Sequence, residues 1–234
     1  MEAEEQRGMW RCLPGVLTVP GRAFEEIAAR PDFLKPAFFI CGASFFLALV
    51  LAPKVQAVAL WVLEQNRVQI PPEQLEAALS IAPKAAVAGS LVSAVLAPWV
   101  VWLLIAGLLK LYSLLSTREA SFKVLFAASV FGYLPILIGG VIATAIGIAV
   151  PVENFQQVSL SLASFLPQQK GFLYFFLSRC NPFTWWSLLL WGAGGAVAMK
   201  TRPWGVTAYL FGCWVAYALL ASFLAVWKTP SGIG

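Results

Sequence analysis

Between Lys123 and Glu153 lie 29 residues without a charge, Val124 to Val152. As a helix this stretch is about 43 Å long, at about 1.5 Å per residue. A bilayer's hydrocarbon core is about 30 Å thick, so the stretch can cross it with tilt or a kink to take up the excess. Near its middle stands Phe131-Gly132-Tyr133-Leu134-Pro135. A proline is foreign to the middle of a soluble helix, because it removes a backbone donor and clashes with the preceding turn. In a membrane helix it is tolerated where neighbouring helices re-satisfy the freed carbonyls.

The rest of the chain is built alike. Its 234 residues are 60% hydrophobic and 12% charged, whereas globular domains carry about 25% charged residues. Four further blocks are apolar: Pro36 to about Leu63, broken only by Lys54; Ala85 to Leu109; Pro182 to Met199; and Pro203 to Trp227. These blocks predict an all-α polytopic membrane protein. Its domain is a bundle of five transmembrane helices over 36–228, between an N-terminal arm at 1–35 and a short tail at 229–234. Residues 64–84, with Pro71, Pro72 and Pro83, read as a loop with a helical turn or two at Glu73 to Leu79. The aromatic stretch 153–181 reads as a segment lying at the membrane interface.

Within the arm, Thr18 to Ala29 has helical periodicity. Phe24, Ile27 and Ala28 share one face, and Arg22, Glu25, Glu26 and Arg30 lie away from it. Pro20 suits a first turn, where its missing N–H costs nothing. So near the first span, the pattern predicts a short amphipathic interfacial helix with Phe24 and Ile27 toward lipid. Five crossings put the chain ends on opposite faces. With the N-terminus inside, ten Lys and Arg fall on the inner segments and six on the outer ones. That split predicts a cytoplasmic N-terminus and an outside C-terminus in a plasma membrane.

Small residues recur four apart, at Gly139, Ala143 and Gly147, at Gly192 and Ala196, and around Gly212. Such spacing lets helix backbones approach within lipid and predicts packing seams. The residues flanking the two mid-block prolines, Pro98, Trp99, Trp102, Tyr133 and Pro135, form the candidate groove or hinge, since Trp and Tyr offer a polar handle beside apolar bulk.

The inventory for chemistry is poor. There is no histidine, and Asp32 is the single aspartate, so Ser–His, metal–His and paired-aspartate sites cannot be assembled. The cysteines Cys12, Cys41, Cys180 and Cys213 form no CxxC or zinc spacing. Glu25-Glu26-Ile27-Ala28-Ala29-Arg30 matches the EExxxR string of CAAX-type intramembrane proteases, but those pair it with histidines in other spans. No phosphate loop or dinucleotide fingerprint occurs. Charges sit at block ends, which disfavours proton-coupled transport, and the bases are spread singly, which excludes nucleic acid as a partner. The expectation is a non-enzymatic protein without metal or cofactor.

Three stretches point to one family. Val19-Pro20-Gly21-Arg22-Ala23-Phe24-Glu25-Glu26-Ile27 with Arg30-Pro31 resembles the lead-in to the first span of bacterial and archaeal Yip1-domain proteins. Phe122-Lys123 followed by Gly132-Tyr133-Leu134-Pro135 is similar to their third span, and Asn181-Pro182-Phe183-Thr184-Trp185 to the start of their fourth. The resemblance covers about residues 17–227. It implies a five-span fold with a cytoplasmic N-terminus and no enzymatic activity. The long cytosolic arm and Asp-Leu-Tyr-Gly-Pro motif of eukaryotic members are missing, which points to a prokaryotic type rather than Golgi traffic. Membrane organisation or scaffolding through protein partners is the role expected, with the bilayer, a second copy or other membrane proteins as partners. The alternative is a carrier or permease-like component for a lipid or other apolar solute.

Overall fold

The computed structural model describes residues 13–166 and 171–228. Cys12, Lys170 and the tail at 229–234 lie outside the described residues. Every regular element among the described residues is helical. After a helical stretch at 13–18 come α1 (Pro20–Ala29), α2 (Leu34–Gln65), α3 (Pro72–Leu115), α4 (Phe122–Phe131), α5 (Leu134–Ala149), α6 (Phe172–Arg179), α7 (Pro182–Ala198) and α8 (Pro203–Lys228). Short 3-10 turns occupy Arg67–Gln69, Val152–Gln157 and Leu162–Phe165.

Four stretches, not five, are long and apolar enough to cross a membrane: α2, α3, the joined run Phe122–Ala149, and α8. The expected fifth, α7, drops out on length. Its 17 residues reach about 26 Å at about 1.5 Å per residue, short of a hydrocarbon core of about 30 Å. The uncharged run from Cys180 to Met199 is longer than the helix inside it, because both ends are spent on caps. Asn181 caps the start, its side-chain oxygen accepting from the Phe183 N–H at 2.9 Å. At the other end Lys200 turns left-handed, with φ 50°, and Thr201 N–H bonds back to the Ala196 carbonyl at 2.9 Å, closing a Schellman-type stop. The expectation that the two chain ends face opposite sides rested on an odd number of spans and loses that support.

The loop expected at 64–84 is also shorter. Pro72 opens α3, and Pro83 and Pro98 lie inside that helix without ending it. Its 44 residues extend about 66 Å at about 1.5 Å per residue, beyond any bilayer core. The boundary of the apolar run at Ala85 is therefore no helix boundary.

The chain forms two compact units. The first gathers the described parts of 1–38, 100–136 and 159–234, and α7 is its centre: α1, α4 and α8 all pack on it. Its glycines make this possible. A Cβ at Gly192 would fall 2.0 Å from Thr207 Oγ1, one at Gly194 2.9 Å from both Phe24 and Ala128, and one at Gly195 2.6 Å from Leu109. Each neighbour occupies the volume where α7 lacks a side chain, so Gly192–Gly195 is a notch rather than a flexible point. Around it Ile105, Leu109, Leu125, Leu188, Trp191, Val206 and Leu210 form one buried core.

The interfacial reading of α1 needs correction. Phe24 is 1% exposed and Ile27 is buried with it. Phe24 inserts at Gly194, and α1 lies on α7 and α4. Its apolar face is spent on protein, not lipid. Amphipathicity told that one side is buried, and a glycine notch 170 residues on supplied what buries it.

The second unit comprises 39–99 and 137–158. Here Lys54, the charge inside the first block, reaches the end of α5 and donates from Nζ to the Val150 carbonyl at 2.6 Å. A cation at a helix C-terminus meets both an orphan carbonyl and the negative end of the helix dipole. The 3-10 turn after α5 folds back so that Phe155 lies 3.0 Å from where a Gly147 Cβ would stand.

Replacing Lys54 by Met should lower stability by about 1–2 kcal/mol, less than a full charged hydrogen bond because the ammonium no longer needs desolvating. Thermal unfolding in detergent micelles measures this, and a Lys54→Met protein as stable as wild type would show that the contact carries no weight.

Candidate functional site at the helix break

Five residues were expected to share a hinge or groove, and they divide between the units. Pro98 and Trp99 belong to the second; Trp102, Tyr133 and Pro135 belong to the first. Within the first, Trp102 is 0% exposed and meets Tyr133 and Phe126 edge-on, at ring separations of 5.9 and 6.5 Å. Phe33, between α1 and α2, stacks edge-on against the same Phe126 at 4.9 Å.

Pro135 does not kink a continuous helix. The uncharged run breaks into α4 and α5, with Gly132 and Tyr133 between them. Pro135 falls in the first turn of α5, where no intrahelical bond is asked of it. The break re-routes the backbone: Gly132 N–H donates to Ala128 at 3.0 Å, and Tyr133 N–H donates to Val130 at 3.2 Å. In an unbroken helix Tyr133 N–H would bond to Ser129. Instead the Ser129 carbonyl accepts the indole N–H of Trp191 at 2.9 Å, in a fully buried position. The Ser129 hydroxyl turns back to the Phe126 carbonyl at 2.7 Å.

Gly132 lets that happen. Its φ and ψ of −67° and −7° are open to any residue. What needs a glycine is space: a Cβ there would stand 2.3 Å from Trp191 Cδ1. The indole brings its Cδ1–Nε1 edge against the bare backbone, with its N–H on the carbonyl three residues earlier. Sequence reasoning placed Tyr133 and Pro135 in the candidate groove and left out Gly132, Ser129 and Trp191. The signal available was an intramembrane tryptophan whose N–H must find an acceptor once buried.

The small-residue positions have unequal surroundings. Gly139 and Ala196 are buried, Ala143 is half-buried, and Gly147 and Gly192 are in close contact. A Cβ at Gly212 would meet nothing within 4 Å among the described residues.

Chemically the helix break is built from aromatic rings, hydroxyls and backbone amides. It contains no carboxylate, cation or thiol. Among the described residues no group of three His, Cys, Asp or Glu is placed to hold a metal. Cys41, Cys180 and Cys213 are free thiols. Burial pushes the Cys180 thiol up, and its Sγ donates to the Phe176 carbonyl at 3.4 Å.

Trp191→Phe leaves the Ser129 carbonyl buried and unpaired and should cost about 1–3 kcal/mol. Gly132→Ala forces the indole out and should cost about 1–3 kcal/mol by overpacking, although alanine is the better helix former. Pro135→Ala should cost only about 0.4–1 kcal/mol, the unfolded-state effect of a first-turn proline. Unfolding of the three variants in one detergent ranks them. A Pro135 variant as damaging as the other two would contradict the break.

The comparisons with known proteins give one match. The model of the Yip1 domain aligns with residues 15–225, a span that takes in α1, the Gly132 break and the whole of α7. No curated protein and no solved structure matches the chain. The chain is a multi-pass integral membrane protein that belongs to the Yip1 domain family.

Proposed function

We propose that the protein is a non-enzymatic organiser of a plasma membrane that scaffolds protein partners from the face carrying its N-terminal helix, held cytoplasmic. The observation that carries this reading is the docking of α1. Its apolar side is consumed by α7 and α4, which leaves Arg22, Glu25, Glu26 and Arg30 exposed on a fixed frame. Glu25 and Ala28 share a cavity of about 410 Å³ with Ala196, Val197, Lys200 and Thr201 of the α7–α8 turn. Polar groups on a rigid frame lose little entropy on binding, which favours recognition of a partner. The long exposed apolar flanks of α3 and α8, such as Val100, Leu103, Leu104, Leu220 and Phe223, fit lipid contact. The carrier alternative needs an open path at the helix break. Trp191 filling the face of Gly132 counts against one there.

Photo-crosslinkers placed at Arg22 and Glu25 in native membranes test the reading. They should trap a discrete protein partner, a second copy or another membrane protein, while a crosslinker at the apolar Leu220 should not. Monomer alone from both α1 positions would count against scaffolding. Binding and counterflow of an apolar solute by the reconstituted protein would favour the carrier instead.

A further inference from the structure

The connection between α3 and α4 holds a feature that neither the helix break nor the docked α1 uses. A cavity of about 700 Å³ opens there, within the range of about 300–1,000 Å³ typical of small-ligand sites. Lys110, Ser113, Thr117, Glu119 and Ser121 line it, with the exposed Leu114 on its rim.

The sequence sets its depth. Lys110 is the first charge after the uncharged run 85–109, and Lys123 the last before 124–152. Each run suffices to cross a hydrocarbon core of about 30 Å, so the short connection between these two candidate spans lies at the headgroup layer of one leaflet. Leu111, Leu115 and Phe122 are exposed beside it and supply the apolar margin along which an acyl chain can leave.

The wall carries both signs of charge. Lys110 Nζ donates to the Ala120 carbonyl at 3.0 Å. That bond fixes the ammonium on the wall and leaves two of its three N–H donors for another acceptor. Glu119 adds an exposed carboxylate that has no ion pair among the described residues. The Ser113 hydroxyl is already engaged by the Arg118 carbonyl. A purely anionic headgroup would be repelled by Glu119, and a choline would offer it no N–H. A zwitterion with a primary ammonium a few bonds from its phosphate satisfies both groups. We propose that the α3–α4 cavity binds the headgroup of phosphatidylethanolamine, phosphate on Lys110 and ammonium on Glu119. The site stands independently of the scaffold reading.

Native mass spectrometry of the full-length protein, delipidated and then given equimolar phosphatidylethanolamine, phosphatidylcholine and phosphatidylglycerol, tests this. The ethanolamine lipid should be retained above the other two. Lys110→Gln and Glu119→Gln should each reduce its retention roughly tenfold, the loss of one charged hydrogen bond. Glu119→Gln should also abolish the preference over choline. Because the Glu119 side chain is exposed and has no ion pair among the described residues, this variant should unfold at the wild-type temperature, which keeps the test clear of the Lys110–Ala120 bond. Equal retention of the three lipids by wild type, or an unchanged preference in Glu119→Gln, overturns the proposal. So does displacement of the bound lipid by inorganic phosphate alone, which would mark a free-phosphate site.

Discussion

A carbonyl freed inside a membrane protein's core costs free energy unless another donor reaches it, and one such carbonyl lies buried in the first unit. The Gly132–Tyr133 break leaves the Ser129 oxygen without its helical donor, and Trp191 provides one from another helix at 2.9 Å. The net worth of such a bond is only about 0.5–1.5 kcal/mol, but leaving the carbonyl unpaired would cost about 1–3 kcal/mol. The bond also positions. It requires α7 to lie where its indole can reach across Gly132, and that placement brings the Gly192–Gly195 notch against residues of four neighbouring helices, α1, α3, α4 and α8.

The arrangement explains why a helix too short to count as a span is the one most surrounded. Its fit to neighbours depends on missing side chains. Phe24 inserts at Gly194, Leu109 and Val206 close on Gly195, and Thr207 sits over Gly192. In lipid no hydrophobic force draws helices together, and close approach with good dispersion contact takes its place. The docked α1 thereby becomes part of the membrane domain's core, and its polar side becomes a fixed surface. The same logic of satisfying an orphan carbonyl recurs in the second unit, where Lys54 serves Val150.

Much of this was legible from sequence, for identifiable reasons. Uncharged runs report apolar surroundings, so α2, α8 and the Phe122–Ala149 run were visible, as was α1 with Pro20 in its first turn. Helix ends were harder. Two of them close with Thr117 and Lys200 at φ 53° and 50°, where the usual sign is glycine, and the Pro182–Met199 block was taken for a span although its helix stops at Ala198 with Met199 as its cap. Pro72 and Pro83 looked like a loop, yet the first opens α3 and the second lies within it. Contacts were least legible. Periodicity put Phe24 on an apolar face, read as facing lipid, without showing that Gly194 receives it, and Gly132-Tyr133-Leu134-Pro135 read as a kink without naming the tryptophan 59 residues on that fills the break.

The Trp191 indole is locked onto the Ser129 carbonyl, and its own proton reports the lock. With indole nitrogens labelled and Trp191 assigned by its loss in Trp191→Phe, hydrogen exchange in micelles separates the tryptophans. Trp204 and Trp227, 81% and 80% exposed at the two ends of α8, should exchange at once, while the Trp191 signal should persist until the protein opens as a whole. Exchange of Trp191 as fast as that of Trp204 and Trp227 would contradict the account.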